Sequence, residues 1–377
     1  MSSGEQMRLK IAQIGSRGIP DHVGGVEQVL IAVAPRLVSF GHEVTVYCAN
    51  WSSDRAPRYN GVRLRYVFSP RTKYLDTLVR SFVATLQQLF SGTDVVHFHS
   101  SGSALLAILP RLFGKKTVVT IHALDWQRRK WNRLGRMFLR FGEWGAIRFP
   151  NRTIVVGAEL KRVLDREYRG NVLFIPNGVV ARAPRAPADV PQFGVRMRRF
   201  LLFVARLVPE KQPHVLIEAF KRLPDRMGMK LVLAGPEWHS AEYVVELRRL
   251  AGGDPDIIFA GEVRGALLED LYASCRAFVL PSEVEGMSLS LLDAMSFGAC
   301  VVASDIAPNA DVVGDAGVLF RTGDVADLAE KLRGVIEDEA EAERLGMAAR
   351  RRITAEFNWD VIARQWEAVY LDLFRGR

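Results

Sequence analysis

The sequence predicts an α/β protein made of two successive doubly wound parallel sheets, and three observations predict it. Short apolar runs alternate with stretches of helical spacing along the whole chain. Most of these runs are continuous rather than alternating, as in strands covered by helices on both faces. At 377 residues the chain exceeds one ordinary domain and suits two, each with its own core.

In order, the first-half strand candidates are KIAQIG (10–15), EVTVYC (43–48), VRLRYV (62–67), DVVHFH (94–99), TVVTIH (117–122), RTIVVG (152–157) and NVLFIP (171–176). Helical spacing marks 26–40, 74–91 and 101–113. The Pro/Arg-rich stretch ARAPRAPADVPQFG (181–194) denies regular structure and reads as a linker. Strand-like runs then resume with FLLFVA (200–205), KLVLAG (230–235), DIIFAG (256–261), AFVLPS (277–282) and CVVAS (300–304). The expected organisation is therefore a first domain over 1–180, a linker over 181–197 and a second domain over 198–358. The closing helix, WDVIARQWEAVYLDLF (359–374), carries Val361, Ile362, Trp366, Val369, Tyr370 and Phe374 on one face. That face needs a core, and the segment 359–377 is expected to cross back to the first domain. Sheets of this kind bind ligands at the carboxyl ends of their strands, so two of them favour an interdomain cleft.

Composition narrows the function. A hydrophobic share of 49% and a charged share of 25% exclude global disorder. No apolar run reaches the roughly 20 residues that span a bilayer, and MSSGEQMRLK has no apolar signal core, so a cytoplasmic protein is expected. Cys48, Cys275 and Cys300 stand singly in apolar surroundings, as small buried hydrophobes in a reducing compartment do. Net charge is uneven. Residues 1–190 hold 28 Lys+Arg against 13 Asp+Glu, or +15, which leaves −6 of the total +9 for the remainder. The first half thus faces a polyanion or an anionic membrane surface.

Several clusters carry chemistry. In PSEVEGMSLSLLDAMSFG (281–298) a strand ends at Glu283, Glu285 and Gly286, and a helical pattern begins at once. The backbone N–H groups of 286–289 would lie at a helix N-terminus, which attracts anions. Glu285 and Asp293 are eight residues apart, about 12 Å of rise if both lie on the helix. They are read either as two ligand-binding carboxylates or as a helix-start acid and a solvated one. In FVARLVPEKQPHVLIEAF (203–220), Arg206 ends a strand and Lys211 sits in the turn before a helix. Two such cations clamp a diphosphate and neutralise charge as it leaves, or else are simply solvated bases. The loop IGSRGIPDHVGGVEQVL (14–30) is not a dinucleotide fingerprint, yet Gly24 and Gly25 at a helix start allow close backbone approach. His122 closes a strand and is a site candidate, whereas His97 is read as structural. Asp254 and Asp256 flank Pro255 in a turn, and no metal signature is present.

The segment 126–142 carries Arg128, Arg129, Lys130, Arg133, Arg136 and Arg140 and no acid. Trp126, Trp131, Leu134, Met137, Phe138 and Phe141 are interleaved with them. A cationic, tryptophan-bearing segment suits an anionic membrane interface. The other reading is a helix whose apolar face packs on the sheet with its arginines in solvent. Nucleic acid is disfavoured because no recognition motif accompanies the charge.

Taken together, these clusters resemble the retaining glycosyltransferases of family 4, which have the GT-B architecture of two facing Rossmann-like domains. The likeness covers nearly the whole chain: the glycine loop, TVVTIHALDW, IPNGV, VARLVPEK, the EGMSLSLLDAMSFG run and FNWDVIARQWEAVY. RGIP with GGVE, RTKYLDTL and HALDWQRRKW are similar to a bacterial subgroup of rhamnosyl- or mannosyltransferases acting on surface polysaccharides. The resemblance implies a hexosyl- or deoxyhexosyltransferase using a nucleoside-diphosphate-sugar, with retention and without a metal or other cofactor. It makes Arg206 and Lys211 the phosphate-binding cations and sets Glu285 near the sugar. The backbone N–H groups of Gly286, Met287, Ser288 and Leu289 would face sugar and diphosphate. Asp293 stands where the motif has a second Glu for the ribose hydroxyls, one methylene shorter. His122 would meet the sugar, Gly25 the diphosphate, and Val263 and Arg264, beside Glu262, the nucleobase. Domain closure about the linker would bring His122 and Gly25 onto the donor. The implied acceptor is lipid-linked or a polysaccharide precursor at the inner face of the cell membrane, reached through Trp126, Arg128, Arg129, Lys130, Trp131 and Arg133. A non-catalytic nucleotide- or sugar-binding subunit, suggested by Asp293, and a nicotinamide-dependent oxidoreductase are the competing readings.

Overall fold

The computed structural model describes residues 7–20, 24–51, 55–72, 75–127, 131–180, 185–237 and 241–375. The chain divides into two units, Met1–Asn177 with Trp359–Arg377, and Gly178–Asn358.

The first unit is built on β1 (Lys10–Ile14), β2 (Glu43–Ala49), β3 (Arg58–Tyr59), β4 (Val62–Val67), β5 (Val95–His99), β6 (Lys116–Ile121), β7 (Arg152–Val155) and β8 (Leu173–Phe174). Their order is β3-β4-β2-β1-β5-β6-β7-β8, all parallel except the β3–β4 pair. The outer strand of that edge hairpin, β3, was not among the strands expected from sequence, whereas β4 was. The hairpin turns on Asn60 and Gly61, both at positive φ (45° and 83°), the conformation that an Asn-Gly pair adopts most readily. The central strands are buried on both faces, which is why they read as unbroken apolar runs.

The helices of this unit are α1 (Gly25–Ser39), α2 (Asp76–Leu89), α3 (Ser101–Ala104), α4 (Ile108–Leu112), α5 (Arg133–Arg148) and α6 (Ala158–Tyr168). The expected 101–113 helix is split into α3 and α4 by a 3-10 turn at Leu105–Ala107. Helix α5 packs through small residues. A Cβ at Gly142 would lie 2.5 Å from the Ser101 carbonyl oxygen, and one at Gly145 as close to Leu105 Cδ2. Leu139 is the large apolar residue of α5 buried beside this contact, next to Gly102 of α3.

The second unit holds β9 (Phe200–Val204), β10 (Lys230–Ala234), β11 (Ile257–Gly261), β12 (Ala277–Leu280), β13 (Cys300–Ser304) and β14 (Val318–Phe320), in the parallel order β11-β10-β9-β12-β13-β14. Helices α7 (Pro213–Lys221), α8 (Ala241–Ala251), α9 (Gly265–Ser274), α10 (Leu289–Ser296), α11 (Ala307–Val313), α12 (Val325–Glu337) and α13 (Glu339–Glu356) connect and cover them. Strand order reverses between β9 and β12. The three cysteines are buried thiols, and burial pushes those of Cys275 and Cys300 up to about 12.

The segment expected to be a linker is, over 185–197, part of the second unit. Arg185 pairs with Glu269 at 3.1 Å and Asp270 at 2.6 Å, and Val190 and Val195 bridge each other and are buried in the core beneath α9. Its prolines prevented strand and helix but not burial. Residues 181–184 lie outside the described residues.

The last helix, α14 (Trp359–Asp372), lies on α1 in the first unit. It is fastened by Arg36–Asp360 (2.6 Å) and by His42, whose Nδ1 accepts from the Leu9 N–H while Nε2 donates to Glu367 at 3.1 Å. Val361 of the expected buried face is exposed instead. Beneath the helix is a buried polar network. Gln13 Nε2 donates to the Tyr370 hydroxyl (3.2 Å), the hydroxyl to His97 Nδ1 (2.6 Å), and His97 Nε2 to Thr120 Oγ1 (2.8 Å). His99 Nε2 donates to Gln13 Oε1 (2.7 Å), which leaves His99 Nδ1 to accept from His122 Nε2 at 3.3 Å. Every donor meets an acceptor only if all three imidazoles are neutral. Trp366 lies over His97 and His99 with centroids 4.8 and 5.7 Å away.

Burial lowers the pKa of all three rings, that of His122 to about 4 and those of His97 and His99 well below 6.5. A depressed imidazole pKa gives stability that is present in full above the unfolded value near 6.5. It is lost as pH falls from there toward 4, because the unfolded chain takes up the protons first. The urea midpoint of unfolding is therefore expected to fall between pH 7.5 and 5.0. In a Glu143→Gln background, which removes a carboxyl that burial raises to about 8 and that acts in the opposite sense, equal midpoints at the two pH values would contradict a neutral network.

Candidate functional site

The reversal between β9 and β12 makes the carboxyl ends of these neighbouring strands the natural ligand position of the second unit. Two loops leave there, 205–212 after β9 and 281–288 after β12, and three polar contacts join them. The Glu283 N–H donates to the Glu210 carbonyl at 3.0 Å, Gln212 Nε2 donates to Glu283 Oε2 at 3.1 Å, and Lys211 Nζ is ion-paired with Glu285 Oε1. The Lys211–Glu285 pair is largely buried, with side chains 17% and 8% exposed. Lys211 and Glu285, expected to address different parts of a ligand, thus meet each other directly. Arg206 is exposed on the first of these loops.

Gln212 and Glu210 were not singled out from sequence. Gln212 adopts positive φ (50°) just before Pro213 opens α7, which turns its amide toward Glu283. The helix-opening proline was the available signal. Behind the second loop, Ser304 Oγ donates to the Ser282 carbonyl at 2.6 Å, and Asn309 Nδ2 donates to Ser304 Oγ at 3.0 Å. This hidden chain fixes where the loop leaves β12.

Ser288 caps α10, its hydroxyl accepting from the Leu291 N–H. The N–H groups of Leu289 and Ser290 in the first turn have no acceptor within the helix, and no acid lies in that turn. Gly286, Met287, Ser288 and Leu289 therefore form the approach to a helix N-terminus, as expected. The helical-rise estimate fails, because Glu285 precedes α10 by four residues while Asp293 lies within it. Val263 is partly buried against the second-unit core after β11, and Arg264 is half exposed and holds Glu262 at 2.6 and 3.1 Å. Asp254 and Asp256 form the expected turn, with Arg226 at 2.8 and 3.5 Å.

The first unit holds the other candidates. His122 directly follows β6 and hydrogen-bonds His99. Gly25 is the first residue of α1, exposed, and a Cβ there would meet nothing. The constrained glycine is Gly24, where a Cβ would strike the carboxylate of buried Glu27, which accepts from the Arg17 N–H at 2.7 Å.

In the basic segment, Arg128, Arg129 and Lys130 lie outside the described residues. Trp126 is anchored within the protein: its indole N–H donates to buried Glu143 at 3.1 Å and Arg140 lies 5.0 Å over its ring. Tyr168 also donates to Glu143, whose carboxyl burial pushes up to about 8. Trp131 packs on Gly135. The helix begins at Arg133, which is exposed, and Leu134, Met137, Phe138 and Phe141 are exposed as well. These four side chains therefore do not pack on the sheet; the buried side of α5 carries Leu139, Gly142, Glu143, Gly145 and Ala146 instead. No helix among the described residues is long and apolar enough to cross a membrane.

Comparison with known proteins shows the family. Residues 23–183 match the model for glycosyltransferase family 4, and residues 189–352 match that for glycosyl transferases group 1. Glycogen synthase of Mycobacterium tuberculosis is 32% identical over 294 residues, 75% of this chain and 70% of that protein. O-antigen chain mannosyltransferase B of Escherichia coli is 29% identical over 183 residues, 47% of this chain and 48% of that one. Among solved structures, sucrose-phosphate synthase from Thermosynechococcus elongatus has a TM-score of 0.86 at 22% identity, covering 98% of this chain and all (100%) of that one. HepE of Anabaena, solved in complex with UDP-glucose, has a TM-score of 0.80 at 19% identity over 97% of this chain and 100% of that one. With both halves matched and a relative aligned over most of its length, the chain belongs to the family-4-like glycosyltransferases of the GT-B fold.

Proposed function

We propose that the protein transfers a hexose or deoxyhexose, with retention, from a nucleoside-diphosphate-sugar to a lipid-linked or polysaccharide-precursor acceptor. The observation that carries this reading is the pair of loops joined at the β9–β12 reversal. They bring an ammonium, a carboxylate and the N-terminus of α10 to one strand end. The UDP-glucose bound by HepE and the mannosyl transfer named for the E. coli relative support the donor class.

On this reading the acceptor hydroxyl attacks the anomeric carbon from the face the diphosphate leaves. The glycosidic bond to phosphate breaks as the new one forms, and the acceptor proton passes to the departing phosphate oxygen. Arg206, Lys211 and the N–H groups of 286–289 stabilise the growing negative charge, and no metal is required. Diphosphate competes with Glu285 for Lys211, so donor binding frees the carboxylate to accept sugar hydroxyls. Asp293 holds the ribose, and Val263 and Arg264 the base. The basic segment 126–142 favours an acceptor presented at an anionic membrane surface on the inner face of the cell membrane.

Arg206→Ala and Lys211→Ala are each expected to lower kcat/KM by roughly 10-fold or more, the scale of one lost charged transition-state contact. Steady-state assays across a panel of nucleotide sugars check this, and unchanged turnover in both variants removes the mechanism. Asp293→Glu is expected to retain turnover and alter donor KM. Calorimetric binding of nucleoside diphosphates with no turnover of any donor favours the non-catalytic binder instead.

Gly235, just after β10, tests the loop from outside the ligand. A Cβ there would fall on the Ala205 carbonyl oxygen, and the adjacent Pro236 carbonyl accepts from the Leu207 N–H at 3.3 Å. Gly235→Ala must displace the backbone that carries Arg206. A fall in kcat with the circular dichroism spectrum unchanged is expected, and wild-type kcat would show that the position of this loop is immaterial.

A further inference from the structure

Helix α2 is inverted. A helix on a sheet ordinarily turns its apolar stripe inward. Here the buried face carries Asp76, Arg80, Ser81, Thr85 and Gln88, with Ala84 and part of Val83 as its apolar contacts, while Phe82, Leu86 and Phe90, four residues apart, are exposed. The polar side is held inside by specific partners: Arg80 is ion-paired with Asp76 and hydrogen-bonded to Ser69, and Gln88 donates to the Tyr47 hydroxyl. The apolar side has no cover among the described residues. Phe90 is 85% exposed, an unusual state for an aromatic residue that ends a helix within a domain.

The exposed apolar surface continues onto two more helices. The connections β4→β5, β5→β6 and β6→β7 all run the same way across the sheet, so right-handed crossovers place α2, α4 and α5 on one face. Helix α2 packs on α4, and Phe90 meets Phe113, just past α4, edge to face at 6.3 Å. Leu112 of α4 is 74% exposed. The Arg111 guanidinium of α4 reaches the Phe149 carbonyl at the end of α5 (2.8 Å), and Leu134 and Met137 of α5 are 71% and 66% exposed.

The charge on this face selects its partner. The three helices contain only two acids, Asp76 and Glu143, and both are buried. Arg111, Arg133, Arg136 and Arg148 are exposed among the apolar residues. A second copy meeting this surface through a two-fold axis would oppose arginine to arginine. An anionic bilayer offers acyl chains to the aromatic residues and phosphates to the guanidinium groups at the same depth. We propose that the face formed by α2, α4 and α5 docks the protein on an anionic lipid bilayer, with Phe82, Leu86 and Phe90 of α2 entering the acyl boundary. This rests on the membrane reading above and moves the anchor from Trp126 and Trp131, both engaged within the protein, to three helices.

The test uses the full chain with vesicles of phosphatidylglycerol and phosphatidylcholine, or of phosphatidylcholine alone, read by co-sedimentation. Wild type is expected to bind the mixed vesicles and to lose affinity as salt rises. The triple variant Phe82→Ser, Leu86→Ser, Phe90→Ser is expected to bind at least about 10-fold more weakly, since each buried phenyl or leucyl group contributes well over that factor. Val245→Ser, at an exposed apolar position on α8 of the second unit, is expected to change nothing. Should the triple variant fail to fold, the single change Phe90→Ser carries the test. Wild-type binding by a folded variant, or no binding by wild type, overturns the proposal. So does a wild-type dimer that the triple variant dissolves while vesicle binding persists. Release of nucleoside diphosphate from sugar nucleotides, assayed without vesicles, is expected to be unaffected. If that release fails while vesicle binding holds, the transfer reading falls and this surface stands.

Discussion

The ion pair between Lys211 and Glu285 is the interaction that ties together the two loops at the second unit's reversal of strand order. Each group is mostly withdrawn from water, and each is tolerable there because the other is present. The pair and the two hydrogen bonds beside it hold two loops from neighbouring strands in register at the point where strand order reverses. Without that register, the N-terminus of α10 and the cations of the β9 loop would be separate surface features. With it, they lie together at one edge of the sheet, the Lys211 ammonium neutralised by Glu285.

A division of labour follows from the packing. On the proposed reading Arg206, Lys211, Glu285 and Arg264 meet the ligand from loops, and Asp293 meets it from α10. The residues that place them are buried: Ser304 and Asn309 behind the β12 loop, Gly235 against Ala205, and Glu27 filling the space left at Gly24. Buried polar groups of this kind resist displacement because each would lose its partner in a medium that offers no replacement.

Much of this was legible in the residues. Parallel strands buried on both faces betray themselves as unbroken apolar runs, so the two sheets and most helices could be read directly. The 281–298 run could be read as strand, loop and helix because strand ends and helix starts leave local signals. Three things could not. The Lys211–Glu285 pair joins residues 74 positions apart, and nothing local encodes that meeting. The segment 185–197 has a linker's composition, yet Val190 and Val195 find a core that only the folded unit supplies. Helix α2 gives the same 3.6-residue periodicity whichever side faces inward, and its inversion is decided by distant partners such as Tyr47 and Ser69.

The return of α14 to the first unit has a consequence for how the molecule is made. The network that roofs His97 and His99 takes Trp366 and Tyr370 from the far end of the chain. During synthesis the amino-terminal sheet must therefore wait, with its imidazole floor open, until some 180 further residues have been translated. The second unit, contiguous in sequence, has every strand it needs well before that. Order of maturation thus runs against order of emergence, and the half begun first on the ribosome is the half completed last.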